Sequence, residues 1–128
     1  MSTKAAEPLP ALLVEDDSLL ALVTEDSLTT LGFAPHVVSH AAGALEAMAK
    51  GLDAQLAVID VGLPDLRGDE LARRLRADHP ALRIVIATGY DTQDFKDRFA
   101  GDAAVAVLGK PFDEADLIEV LQSLGFAV

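Results

Sequence analysis

A chain of 128 residues, just over half of them hydrophobic, has the size of one compact domain and leaves too little for a second. Its 21 acidic and 10 basic residues give a formal net charge of −11, which argues against direct binding to nucleic acid phosphates or an anionic membrane, because both need clustered Lys and Arg. The absence of cysteine excludes a disulfide scaffold and thiolate metal sites, and no apolar run approaches the roughly 20 residues that cross a bilayer.

The opening stretch to Pro8 lacks the apolar core of a signal peptide, so the expected compartment is the cytoplasm, with residues 1–7 a disordered segment ahead of one domain over 8–126. Pro8–Val14 is an apolar run that predicts a strand. Ser18–Leu31 then sets Leu19, Leu20, Val23, Leu28 and Leu31 at helical spacing before Gly32. Ala34–Ser39 predicts a second strand and Ala41–Lys50 a helix. Gln55–Ile59 predicts a third strand, with a helix over Asp69–Asp78 and Pro80 just beyond it. Arg83–Ala87 is a β-branched strand, Thr92–Ala100 a short polar helix, Ala103–Leu108 a strand, and Asp113–Leu124 a helix with Gly125 as its cap. Strands written as continuous Val, Ile, Leu and Ala runs are buried on both faces, which calls for a parallel sheet covered by helices on each side. The predicted architecture is a doubly wound α/β domain of five βα units. Ligands of such sheets bind beyond the carboxyl ends of the strands, where the strand order reverses.

The residues at those ends carry chemistry. Glu15, Asp16 and Asp17 follow the first strand, Asp60 the third, Thr88 and Gly89 the fourth, and Lys110-Pro111 the fifth. Each has an ordinary role if taken singly: Asp17 or Ser18 can cap the first helix, Thr88 can cap the fourth, and Lys110 can sit in solvent. Together, acidic groups, a hydroxyl and an ammonium at one sheet edge exceed what capping needs, and the mutual repulsion of the carboxylates requires a cation. Carboxylates prefer hard cations, and this set with backbone oxygen and water matches the incomplete octahedral shell of Mg²⁺. Asp16 and Asp60 are the expected direct ligands, Glu15 acts through water, and the backbone carbonyl of Gly62 supplies a further oxygen. His36, His40 and His79 are expected away from this edge as surface residues, which disfavours Zn²⁺.

Four motifs in order make the pattern specific: Leu12-Leu-Val-Glu-Asp-Asp17, Leu56-Ala-Val-Ile-Asp60 running on to Pro64 and Gly68, Ile86-Ala-Thr88-Gly, and Gly109-Lys110-Pro111-Phe112. Over nearly its whole length the chain resembles the receiver domain of bacterial response regulators. The resemblance implies a flavodoxin-like, CheY-like (βα)5 fold with strand order 2-1-3-4-5. It implies Asp60 as the phosphoacceptor, Glu15 and Asp16 as the acidic pair at Mg²⁺, Thr88 as the switch hydroxyl with Gly89 beside it, and Lys110 as the lysine at the phosphate. It also implies a cis bond at Pro111. The partners it implies are a sensor histidine kinase or histidine phosphotransfer protein and a downstream protein target. The activity it implies is that of a phosphoacceptor switch with at most slow self-dephosphorylation, not of an enzyme. The starting Met and an end just past the fifth helix lead us to expect a freestanding receiver.

Two departures from the family pattern stand out. Many receivers carry Tyr or Phe three residues before the lysine, and here that position is Val107. Ala87-Thr88-Gly89-Tyr90 instead resembles the receiver subgroup with a Phe-Ala-Thr-Gly-Tyr signature, with Ile86 in place of Phe. Tyr90 either serves as the mobile group or packs over the loop, and Gly89 gives that loop more backbone freedom. An unphosphorylated pseudo-receiver that only binds protein is the alternative function, and the intact acidic pair, Asp60, Thr88 and Lys110 argue against it. A hydrolase using Asp60 as nucleophile usually wants a second carboxylate two residues later, where this chain has Gly62.

Overall fold

The computed structural model describes residues 7–128. Most of the segment expected to be disordered therefore lies outside the described residues, and Glu7 is exposed and outside any element. Five strands alternate with five helices: β1 (Leu9–Val14), α1 (Ser18–Thr30), β2 (Phe33–Val38), α2 (Ala41–Ala49), β3 (Leu56–Asp60), α3 (Gly68–Asp78), β4 (Arg83–Thr88), α4 (Thr92–Arg98), β5 (Val105–Gly109) and α5 (Glu114–Ser123). The strands form one sheet in the order β2-β1-β3-β4-β5, with all neighbours parallel. This is the doubly wound α/β sheet expected, and the order reverses between β1 and β3.

Side chains alternate across each strand, so the sheet divides its apolar residues between two cores. Leu12, Val14, Ala57, Ile59, Ile84 and Ile86 face α2, α3 and α4, while Ala11, Leu13, Leu56, Val58 and Val85 face Leu28 of α1 and Leu117 and Leu121 of α5. Burial on both faces holds for β1, β3 and β4. It fails for the edges: β2 is largely exposed after Phe33, and most of β5 is half-buried. An edge strand has a neighbour on one side only, which also explains why Pro35, unable to donate a ladder hydrogen bond, is tolerated in β2.

The helix ends differ from expectation where competing caps exist. Asp17 caps α1 through the Leu19 and Leu20 amides, and Asp113 forms a reciprocal capping box with Asp116 on α5. Asp91, not Thr88, caps α4, because β4 continues through Thr88, which pairs with Gly109, and so leaves that residue in the sheet. Gly125 follows the last turn of α5 with φ of +94°, as a capping glycine should. The chain then returns Phe126 to the core, edge to face on Phe33 with ring centroids 5.3 Å apart, and the Arg83 guanidinium lies over the Phe126 ring.

Candidate functional site

β1 and β3 end side by side at the point where the strand order reverses, and their last turns carry the acidic residues to one place. Carboxylate oxygens of Glu15, Asp16 and Asp60 all lie within 4.8 Å of one another. Glu15 and Asp60 are buried, whereas Asp16 is exposed and takes no protein hydrogen bond among the described residues. The Lys110 ammonium reaches between the two buried groups, donating to Asp60 Oδ1 at 2.7 Å and Glu15 Oε1 at 2.9 Å. A resident cation thus answers part of the repulsion among the carboxylates. Three carboxylates against one ammonium still leave an excess of negative charge with only oxygen donors around it, which fits a hard divalent cation.

The electrostatics follow from this packing. Burial pushes the Glu15 carboxyl above its usual range despite the bonds it accepts from Lys110 and the Asp17 amide, and the nearby Asp60 charge pushes the same way. Burial pulls the Lys110 ammonium down, but its hydrogen bonds to Asp60 and Glu15 and their charges outweigh that and hold it above its ordinary value. Lys110 therefore stays charged where the carboxylates need it.

Thr88 is buried at the end of β4, and its Oγ1 accepts a hydrogen bond from the Tyr90 amide at 3.0 Å. Its carbonyl accepts from the Lys110 amide at 2.8 Å, so the hydroxyl and the ammonium ride on neighbouring strand ends. The Lys110–Pro111 peptide bond is cis. Gly62 lies beside Asp60: a Cβ there would stand 3.6 Å from Asp60 Oδ2. Gly89 has open space around it, so a Cβ would meet nothing within 4 Å. Tyr90 is 72% exposed, and Val107 packs half-buried against the α2–α4 core.

One expectation is corrected. His40 is not remote from this edge: it follows β2, on the strand next to β1, and with Glu15, Asp16 and Ser18 it lines a cavity of about 460 Å³ between α1 and the start of α2. β2 adjoins β1 in the sheet, so the residue just past its carboxyl end falls at the same edge as Glu15 and Asp16. His36 on β2 and His79 beyond α3 do lie elsewhere. Sequence reasoning also missed two acidic residues near the acceptor. Asp65 bonds to α2, and the buried Asp69 accepts from Arg67 Nε at 3.0 Å and from an Arg98 guanidinium nitrogen at 3.2 Å. Their partners on α2 and α4 are more than 20 residues distant, so no local pattern marks them.

Residues 11–122 match the family model of the response regulator receiver domain. The chain belongs to this family. The receiver is 33% identical over 114 residues to the transcriptional regulatory protein QseB of Haemophilus influenzae, covering 88% of this chain and 51% of that protein. It is 30% identical over 114 residues to the sensor kinase CckA of Brucella abortus, covering 88% of this chain and 12% of that protein. The chain thus spans about half of one of these curated relatives and far less of the other. Among solved structures it superposes on a response regulator receiver protein from Sinorhizobium medicae with a TM-score of 0.81 at 32% identity, covering 92% of this chain and 95% of that one. A CheY-like receiver domain from Methylobacillus flagellatus superposes with a TM-score of 0.79 at 31% identity, covering 92% and 99%. The receiver is therefore a two-component signalling module of a family that acts as phosphoacceptor switches. No helix among the described residues is long and apolar enough to cross a membrane.

Proposed function

We propose that Asp60 accepts a phosphoryl group from a sensor histidine kinase or a histidine phosphotransfer protein. The observation that carries this reading is the Lys110 ammonium held between Asp60 and Glu15, with Asp16 and Thr88 at the same strand ends. A carboxylate ionised at neutral pH needs no general base, so one Asp60 oxygen attacks phosphorus while the P–N bond of the donor phosphohistidine breaks and its electron pair leaves with the imidazole. Lys110 already holds Oδ1, and no other side chain among the described residues donates to Asp60. Asp16 and Asp60 directly, Glu15 through water and the Gly62 carbonyl would hold Mg²⁺, which supplies neutralising charge to the phosphoryl oxygens. Lys110 offers a second cation, and Thr88 with the Gly89 N–H offers donors to a third oxygen. Thr88 now accepts from the Tyr90 amide, so turning its hydroxyl toward a phosphate would alter that bond and draw the Tyr90 loop with it.

The same reading takes residues 8–126 as the working unit, the cytoplasm as its compartment, and a switched protein-binding surface as its output in place of enzymatic turnover. The test is incubation with acetyl phosphate and Mg²⁺ followed by intact mass. A single phosphoryl adduct on the wild type and none on a folded Asp60→Asn variant is the expected result, because the amide keeps the volume but is a poor nucleophile and metal ligand. Unchanged labelling of the variant would exclude Asp60, and no adduct on the wild type would favour the pseudo-receiver.

A further inference from the structure

The loop that leaves the acceptor, Val61–Arg67, is closed at its base and held at its tip. At the base, the Gly68 amide donates to the Val61 carbonyl at 2.9 Å, and the Val61 amide donates to Ala87 on β4 at 3.0 Å. A Cβ on Gly68 would stand 2.1 Å from the Asp60 carbonyl oxygen, so the chain can return this close to the acceptor only as glycine. Within the loop Leu63 is buried and Leu66 half-buried, while Gly62, Pro64, Asp65 and Arg67 are exposed. At the tip, Asp65 Oδ1 accepts from the Ala41 amide and Oδ2 from the Ala42 amide, each at 2.9 Å.

Those two amides open α2, whose own N-cap residue, His40, makes no side-chain capping bond and whose first turn contains no acidic residue. A helix start leaves its first N–H groups unsatisfied and carries partial positive charge, so a carboxylate placed there serves as both acceptor and counter-charge. The same contact holds the Asp65 carboxyl below the usual carboxylate range, chiefly through the Ala41 and Ala42 amides. Asp65 thus caps α2 from the acceptor's loop, across 23 and 24 residues of chain.

We infer that Asp65 is a positioning residue for the phosphoacceptor site, fixing the Gly62 backbone beside Asp60 by tying the loop tip to α2. This rests on the phosphoacceptor reading above. Without the tie, Leu63, Leu66 and Arg67, which bonds to Asp69 and lies over Phe95, still hold the far side of the loop, but nothing joins the Asp65 tip to α2, and the Gly62 carbonyl loses its fixed place. Groups that orient a metal's ligands typically change affinity by about 10-fold or more when removed.

The experiment measures Mg²⁺ affinity by titration calorimetry, and the Mg²⁺ dependence of acetyl phosphate labelling, for the wild type, Asp65→Ala, Asp65→Asn and Asp102→Ala. Asp102→Ala breaks a remote Arg76 ion pair and controls for lost stability. Asp65→Ala should weaken Mg²⁺ binding and raise half-saturating Mg²⁺ about 10-fold while the labelling rate at saturation is largely kept. Asp65→Asn, which retains one acceptor oxygen, should restore part of the loss, and Asp102→Ala should leave affinity unchanged. Amide exchange at Ala41, Ala42 and Gly68 should quicken together in Asp65→Ala. Wild-type affinity in Asp65→Ala, or a loss no greater than that of Asp102→Ala, overturns the inference. A wild type that binds Mg²⁺ but takes no phosphoryl group overturns the phosphoacceptor reading, while the affinities and the Ala41, Ala42 and Gly68 exchange still judge Asp65; a wild type that binds no Mg²⁺ overturns both.

Discussion

Lys110 changes what the acidic cluster means. Read from the sequence, the three carboxylates repel one another until a metal arrives, but in the fold the two buried ones, Glu15 and Asp60, share an ammonium and only Asp16 is left to solvent. The repulsion that metal can relieve is therefore concentrated on Asp16, which no donor among the described residues satisfies. Asp16→Ala should raise metal-free stability slightly and weaken Mg²⁺ binding. The wild type should gain about 1.4 kcal/mol at Mg²⁺ ten times its dissociation constant, and the variant measured at that same concentration should gain markedly less. Thermal melts with and without Mg²⁺ read both effects, and equal shifts in the two proteins would remove Asp16 from the site.

The short helix α4 combines a polar surface with a firm anchor. Its one buried residue, Phe95, sits between two guanidiniums, Arg67 at 5.9 Å and Arg98 at 5.3 Å, and both arginines also bond to the buried Asp69. Arg67 belongs to the loop that starts at Asp60, and α4 follows the loop that starts at Thr88, so both candidate signalling loops converge on this anchor. A beryllofluoride mimic on Asp60 should alter hydrogen exchange from Thr88 to Phe99 more than in β5, where Val107 has no ring to move. Changes confined to β5 and α5 would refute a route through Tyr90. The loop between α4 and β5 is tied differently, by Asp102 to Arg76 of α3. The Arg76 hydrogen bond is the main reason the Asp102 carboxyl lies below its usual range. A depressed acid contributes stability that is complete above the ordinary carboxylate value near 4 and is lost as pH falls through the lower folded value. Acid titration of Asp102→Asn should therefore show less loss of stability below about pH 4 than the wild type.

At the scale of the molecule, stability is divided between two cores on either face of one sheet, and the chain end belongs to the second. Phe126 is buried against Phe33 beyond the last residue of α5. Phe126→Ala should cost about 3 kcal/mol, the lower end for a buried phenylalanine, since Leu124 remains in place. Denaturant unfolding checks this, and a loss below about 1 kcal/mol would place the domain boundary before the tail.

Apolar runs, helical spacing and turn residues are local, so the sequence alone determined the five βα units, the doubly wound class and the strand ends where chemistry gathers. The four motifs added the family and the set Glu15, Asp16, Asp60, Thr88 and Lys110. The tertiary structure decided which of these touch. That Lys110 bridges Asp60 across 50 residues and Glu15 across 95 depends on the strand order, which hydropathy does not encode. The position of His40 at the same cavity as Asp16, the cap that Asp65 supplies to α2, and the Asp69 pairing with Arg98 are likewise products of packing between distant segments. A hydrogen bond to a carboxylate needs a donor within about 3 Å, and only the folded sheet brings residues so far apart in the chain to that distance.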